Sequence, residues 1–149
     1  MRASELMIDG FVYGKTDKGL VVGRIDNLLQ IYQGEFFVSI KGNDGNDYRG
    51  KVNDTYNCVE PIPITCEFIK KNGFVLDDDI NEITEEKYYL LKLDKFTITI
   101  HEGSNTLGRD WWVHIDNEDC CSIASADVQY VHQLQNLFNI ANVEIDIRL

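Results

Sequence analysis

The sequence contains few prolines, few cysteines and no long apolar run. Its two prolines among 149 residues argue against an extended linker. No segment approaches the run of about 18 apolar residues that a membrane helix needs, and the N-terminal residues lack the shorter apolar run of a signal peptide. The four cysteines show neither a CxxC pair nor the spacing of a secreted disulfide scaffold. We therefore expect a cytoplasmic protein with reduced thiols that does not bind a membrane.

Basic residues are also scarce. The chain has 14 Lys and Arg against 25 Asp and Glu, for a formal net charge of −11. Residues 1–62 carry a net charge of −2 and residues 63–149 carry −9. Because nucleic-acid binding needs cationic groups that displace counterions, this balance predicts no direct nucleic-acid partner. An alternative is an acidic mimic of nucleic acid that inhibits a basic DNA-binding protein or nuclease, with the charge concentrated in the second half.

The remaining composition is that of a folded chain. Hydrophobic residues make up 44% and aromatic residues 11% of the sequence, which is too apolar for a disordered protein. A chain of this length buries roughly 70% of its unfolded surface, so it can fold without disulfides or metals. The length fits one domain or two small subdomains that share a core.

The first part of the chain alternates short β-rich runs with glycine-containing turns. The run EFFVSIK alternates so that Phe36, Val38 and Ile40 share one face, as in a half-buried strand. Breaks are predicted at GKTDKG, IDN, QGE and the turn GNDGND, residues 42–47. The pattern predicts a small SH3-like barrel-type sheet over residues 1–62.

The segment CVEPIPITCEFIKKNGF, residues 58–74, predicts a short helix over residues 65–72. Thr65 is a suitable N-cap, and Glu67 suits the positive end of the helix dipole. Gly73 tolerates the positive φ that ends a helix, and Phe74 is expected to pack back on the last turn. This helix marks the boundary between two predicted subdomains, residues 1–62 and residues 63–149.

The second half reads as a β-meander followed by a helix. Strands are predicted at 88–93 and 96–101 around a turn at Asp94 and Lys95, then at WWVHID, and NEDCCSIAS is predicted to turn into one more short strand. The acidic stretch 77–86 is interpreted as a solvated connector. A helix near 127–140 and a terminal strand at 143–148 complete the chain. The predicted fold class is α+β, predominantly antiparallel β, with the second sheet packed by one C-terminal helix.

The C-terminal helix carries one apolar stripe and one amide-rich face. The inward positions of the stripe are Tyr130, Val131, Leu134, Leu137, Phe138 and Ala141. The outer face is predicted to carry His132, Gln133, Gln135, Asn136 and Asn139. Neutral amides cost little to desolvate, so this face is a candidate protein-contact surface, although a solvated face without a partner fits the same pattern. Trp112 is added as a contact residue, because Trp111 and Trp112 face opposite ways on a strand and aromatic residues dominate interfaces. A rim of Tyr88, Tyr89 and Trp112 is the aromatic part of that hypothesis, and core filling is the alternative.

The candidates for chemistry are few. His101 and His114 lie on strands predicted to pair, and Asp116 or Cys120 would complete a metal site if both imidazoles shared one face. The sequence does not determine the register of these two strands, and a slip of one residue would move every side chain of a strand to the other face of the sheet. A thiol enzyme using Cys120 or Cys121 with a histidine has no activating sequence context. We therefore predict no catalytic residue, metal or cofactor, and keep a small metal- or thiol-dependent enzyme as an alternative.

Three segments resemble a known family. SELMIDGFVYG, VEPIPITCEFIKKNGF and VQYVHQLQNLFNIANVEIDI are similar, in that order, to a family of small proteins of gut anaerobic bacteria that occur in prophage-like or mobile-element neighbourhoods. The resemblance implies a cytoplasmic accessory protein and assigns no catalytic residue. With the absence of a catalytic signature, it predicts a non-enzymatic interaction protein whose partner is another protein or a second copy of itself.

Overall fold

The computed structural model of the chain describes residues 7–32, 35–53, 57–77, 87–102 and 111–149. Contacts between residues divide the chain into two compact units. The first unit comprises Met1–Ile62 with Tyr130–His132, and the second comprises Pro63–Gln129 with Gln133–Leu149.

The first unit contains a five-stranded antiparallel sheet. Its strands are β1 (Phe11–Thr16), β2 (Gly19–Tyr32), β3 (Glu35–Gly42), β4 (Asp47–Val52) and β5 (Val59–Pro61), in the spatial order β4-β3-β2-β1-β5. The break predicted at residues 25–27 is wrong, because β2 continues through it with a register shift between Ile25 and Asn27. A β-bulge of this kind adds one residue and bends the strand without ending it.

The segment around Cys58 approaches both β4 and β1. The Cys58 amide donates to the Lys51 carbonyl at 3.2 Å, and the Lys15 amide donates to the Cys58 carbonyl at 2.8 Å. Gly50 permits this approach, since a Cβ at position 50 would lie 2.5 Å from the Cys58 Cβ. Within the described ranges, the strand ladders form an open sheet and no closed barrel is found.

One side of this sheet forms a buried cluster, and its members are Val12, Ile25, Val38, Ile40, Val52, Cys58 and Val59. Leu28, Phe36 and Tyr48 pack against the cluster. The predicted alternation of Phe36, Val38 and Ile40 is confirmed by these contacts. Burial of the Cys58 thiol among apolar side chains raises its pKa.

The turn predicted at residues 42–47 is confirmed, and its centre is the Asp44 side chain. Gly45 has φ +84°, which a residue without a Cβ adopts at little cost. The Tyr48 hydroxyl donates to Asp44 Oδ2 at 2.6 Å, and the Asn46 amide donates to Asp44 Oδ1 at 3.1 Å. These bonds favour the charged carboxylate, first of all the bond from Tyr48, so the pKa of Asp44 lies below its usual value.

The second unit begins with α1 (Cys66–Lys71), which ends as predicted. The Thr65 hydroxyl accepts a hydrogen bond from the Phe68 amide at 3.1 Å, which caps the helix. Gly73 has φ +84°, and the Phe74 amide donates to the Ile69 carbonyl at 3.3 Å. Phe74 is buried, so the predicted glycine-terminated helix with an apolar residue packed behind it is confirmed.

A second five-stranded antiparallel sheet follows. Its strands are β6 (Val75–Leu76), β7 (Tyr88–Lys92), β8 (Phe96–Glu102), β9 (Trp111–Asn117) and β10 (Ser122–Val128), in the spatial order β10-β9-β8-β7-β6. One face of the sheet is buried and carries Tyr89, Ile98, Ile100, Trp111, Val113 and Ile115. The predicted connector at 77–86 falls, apart from Asp77, outside the described residues.

The C-terminal helix, α2 (Val131–Ile140), starts four residues later than predicted. Residues up to Val128 belong to β10, where Val128 pairs with Trp111. The predicted apolar stripe is confirmed, because all its members except the half-buried Tyr130 are buried. The prediction of a mostly antiparallel β fold with two helices thus agrees with the described residues.

The terminal strand predicted at 143–148 is wrong. These residues alternate as expected, with Val143 and Ile147 buried, but they join neither sheet. The Asn72 side chain binds this segment instead: its Nδ2 donates to the Arg148 carbonyl and its Oδ1 accepts from the Arg148 amide, both at 2.8 Å.

Candidate functional site

The candidate site lies on the second sheet, on the face opposite to the buried one, which we call the outer face. Tyr88 of β7 is paired with His101 of β8, which is paired with Trp112 of β9. The Tyr88 and His101 rings are stacked, with centroids 4.8 Å apart, and the His101 and Trp112 centroids are 6.4 Å apart. These three residues, the aromatic row, form a continuous set of rings across three strands.

The row next to it begins with Leu90 of β7, which is paired with Thr99, and is polar from β8 to β10. Thr99 of β8 is paired with His114 of β9, which is paired with Ser125 of β10. The His114 Nε2 lies 2.9 Å from an oxygen of Asp116, two residues along the same strand. The outer face therefore combines an aromatic row with hydroxyl, imidazole and carboxylate groups that are partly exposed.

The two tryptophans lie on opposite faces, as predicted. Trp111 is 3% exposed and donates from Nε1 to the Ile64 carbonyl at 3.1 Å, whereas Trp112 is 37% exposed on the outer face. Of the predicted aromatic rim, Tyr88 lies on the outer face with Trp112, but Tyr89 is 2% exposed and belongs to the buried face. Adjacent residues of a strand point to opposite faces, so Tyr88 and Tyr89 could not both join one rim.

The predicted position of His132 on the outer face of the helix is wrong, because this side chain is only 2% exposed. It lies in the first turn of α2, where the Val131 amide donates to the Ile62 carbonyl at 2.9 Å. The His132 ring is nearly parallel to the Tyr130 ring, with centroids 5.7 Å apart, and its Cβ lies near Gly10. Helical periodicity alone does not reveal such a covered first turn.

The other amide residues of α2 have the predicted orientation only in part. Asn136 and Asn139 are exposed, whereas Gln133 and Gln135 are half-buried. Gln133 Oε1 accepts a hydrogen bond from the Gln129 amide at 2.8 Å, so this side chain helps to begin the helix. The exposed amides are thus concentrated in the second half of α2.

His101 and His114 do share the outer face, the condition set for a metal site, and Asp116, one of the two further ligands considered, lies 2.9 Å from His114. Cys120 lies in the turn between β9 and β10 with φ +57°, and its side chain is exposed beside Cys121. Within the described ranges, no group of three His, Cys, Asp or Glu side chains is arranged to hold a metal ion. His114 is instead paired with Asp116.

The role of His101 in an aromatic row was missed from the sequence, although a signal for it exists. Leu93 and Phe96 flank the two-residue turn, and the Leu93 amide donates to the Phe96 carbonyl at 2.8 Å. A two-residue turn fixes the register of its hairpin, so counting back from it pairs Tyr88 with His101. The pairing with Trp112 has no comparable signal, since eight residues of sequence separate the end of β8 from the start of β9.

No known protein family matches the chain, and neither a curated protein nor a solved structure is significantly similar to it. Neither α1 nor α2, the helices of the described residues, is long and apolar enough to cross a membrane.

Proposed function

We propose that this chain is a non-enzymatic interaction protein of the cytoplasm, and that the outer face of the second sheet is its contact surface. The observation that carries the proposal is the aromatic row with the exposed Trp112 at its end. Tryptophan and tyrosine contribute most to binding energy in protein interfaces. The prophage or mobile-element origin implied by the resemblance belongs to the same proposal.

The aromatic row suits a contact surface because its rings are held before a partner arrives. Tyr88, His101 and Trp112 come from three paired strands, so their spacing is fixed by the sheet ladder. Stacking of Tyr88 on His101 restricts both rings further. A preorganised surface loses less side-chain entropy on binding than a mobile one.

The partner we propose is a basic protein. Residues 63–149 carry a net charge of −9, and Asp116 and Asp127 lie on the outer face itself. A second copy of the chain would bring the same negative charge to the interface, so charge complementarity favours a different protein. Asn136 and Asn139, exposed on α2, are proposed as additional contact residues of the second unit.

An acidic mimic of nucleic acid is supported less well. The outer face bears aromatic, hydroxyl and imidazole groups among its carboxylates, and Asp116 is paired with His114 at 2.9 Å. A surface that imitates a phosphate backbone needs a regular series of negative charges. The observed mixture therefore favours recognition of a particular protein segment.

For the first unit we infer an SH3-like barrel, a finer description than an open five-stranded sheet. The supporting features are the strand order, the long bulged β2, and two backbone hydrogen bonds of Cys58, one donated to the Lys51 carbonyl and one accepted from the Lys15 amide. In this arrangement the Cys58 segment, which precedes β5, links β4 to β1.

The test is a comparison of two single variants. The wild-type chain, Trp112→Ala and Tyr32→Ala are used to capture partners from a bacterial lysate, and light scattering gives the oligomeric state of each. Tyr32 is the matched control, because it is an aromatic residue that is 72% exposed on the first unit. We expect a defined basic protein to be captured by the wild type and Tyr32→Ala and lost with Trp112→Ala. Equal capture by all three chains would contradict the proposed contact surface. A dimer that dissociates only in Trp112→Ala would contradict the proposed partner.

A further inference from the structure

Trp112 and Asp127 form an exposed pair at one end of the aromatic row. The two residues are directly paired across β9 and β10, and both side chains are exposed. Residues paired in this way have Cβ atoms about 5 Å apart, on the same face of the sheet. An indole ring and a carboxylate are therefore presented side by side.

On the side of Trp112 away from Asp127, the indole lies next to the other rings of the aromatic row. His101 is paired with Trp112 on β8, with its ring tilted by 48°, and is itself stacked on Tyr88. The Asp116 carboxylate lies four residues further along β9, 2.9 Å from the His114 Nε2. Because Asp127 is paired with Trp112 across β9 and β10, its carboxylate lies directly opposite the exposed indole.

We infer that Trp112 and Asp127 form a binding site for an arginine guanidinium group, carried by an exposed basic segment of the partner protein. This inference rests on the proposed function and names the group that the outer face recognises. A guanidinium is planar, so it stacks on an indole while its N–H groups donate to a carboxylate beside it. A lysine ammonium keeps the charge but neither the planar stacking nor the fork of donors.

The charge around the pair agrees with a cationic ligand. The four residues across the sheet at this level, Tyr88, His101, Trp112 and Asp127, include no lysine or arginine. The net charge of −9 on residues 63–149 attracts a basic segment over a longer range and raises its rate of association. The close pair then discriminates between arginine and lysine.

The experiment uses two synthetic peptides in which glycine alternates with either arginine or lysine, so that length and charge are equal. Binding to the full chain is measured by calorimetry and by indole fluorescence at low and high salt. We expect the arginine peptide to bind about fivefold more tightly than the lysine peptide. Asp127→Asn and Trp112→Ala should remove most of this preference, whereas Trp112→Phe should retain part of it.

Asp119→Asn is the matched control, because it removes the same charge from an exposed position in the turn between β9 and β10. This variant should bind both peptides slightly more weakly than the wild type and should keep the same preference for arginine. Thermal unfolding of each variant establishes that the fold is retained. Equal binding of the two peptides, or equal effects of Asp127→Asn and Asp119→Asn, would overturn the guanidinium site.

The peptide experiment and the capture experiment separate the two proposals. If Trp112→Ala abolishes capture of a protein partner but the peptides bind without preference, the contact surface stands and the guanidinium site is wrong. If the arginine preference depends on Trp112 and Asp127 but capture does not depend on Trp112, the site exists and the proposed contact surface is wrong.

Discussion

Asn72 holds the backbone of Arg148 through two hydrogen bonds of 2.8 Å each, one donated and one accepted by the same side-chain amide. The Asn72 Nδ2 also donates to the Phe68 carbonyl at 2.8 Å, and the Asn72 backbone ends α1. One amide side chain thus closes a helix and binds a segment 76 residues later in the same unit. These bonds hold the Arg148 amide and carbonyl in the segment 143–148, where the sequence predicted a strand.

The first prediction concerns this asparagine. Asn72→Ala removes all three side-chain bonds, and we expect the free energy of unfolding to fall by about 2 kcal/mol, since each net hydrogen bond contributes about 1 kcal/mol and these are partly exposed. Chemical denaturation measures the change. Asn136→Ala is the control, because Asn136 is an exposed asparagine of α2, where alanine is a better helix former. A loss in Asn136→Ala as large as that in Asn72→Ala would contradict the explanation.

Local signals in the sequence predicted much of the fold. Thr65 and Gly73 mark the two ends of α1 because capping depends on residues next to the helix. The turn at Asp94 and Lys95 likewise predicted the hairpin of β7 and β8. Such signals act within a few residues, so they are readable without tertiary information.

The errors arose where distant residues decide the outcome. Residues 143–148 have the alternation of a strand, but the Arg148 amide and carbonyl are hydrogen-bonded to the Asn72 side chain and not to a neighbouring strand. His132 has a polar position on the helical wheel, yet it is buried, with Gly10 near its Cβ. The pairing of His101 with Trp112 depends on the register of β8 and β9, which are separated by eight residues of sequence.

The second prediction tests the approach of Cys58 to β4. A methyl group at position 50 would lie 2.5 Å from the Cys58 Cβ and 2.7 Å from its Sγ, too close for either atom. We expect Gly50→Ala to lower the free energy of unfolding by about 1–3 kcal/mol through overpacking. Adding Cys58→Gly removes both atoms that the methyl meets, so the double variant should lose less than the two single changes combined. Strict additivity in thermal unfolding would argue against the contact.

The third prediction concerns the reactivity of the four thiols. Cys120 and Cys121 are exposed, Cys66 is half-buried, and Cys58 is buried with its pKa raised by desolvation. Because the thiolate is the reactive form, Cys58 should react with a disulfide reagent only when the chain unfolds. In the native protein we expect two thiols to react rapidly with the reagent. Neither rapid reaction should occur in the variant Cys120→Ser/Cys121→Ser, and both should be unchanged in Cys58→Ala. A Cys58 that reacts as fast as Cys120 would contradict its burial.

The fourth prediction is the alkaline titration of Tyr89. Burial, followed by a hydrogen bond with the Cys66 side chain, raises the pKa of Tyr89 to about 12 from a model-peptide value of 10.0. Because the folded state holds the phenol proton more tightly, its contribution to stability is complete below pH 10 and is lost as the pH rises to about 12. Over that interval the free energy of unfolding should fall by about 1.4 kcal/mol per pH unit from this group alone.

Phenolate absorbance and denaturation curves measured on wild type and Tyr89→Phe isolate this contribution, since the variant lacks both the late ionisation and its share of the pH slope. Cys66→Ala separates the two causes. Burial is the larger cause, so the pKa of Tyr89 should decrease in this variant and stay above 10.0. A pKa at or below that value in Cys66→Ala would assign the shift to the hydrogen bond, and an unchanged pH slope in Tyr89→Phe would show that another group carries it.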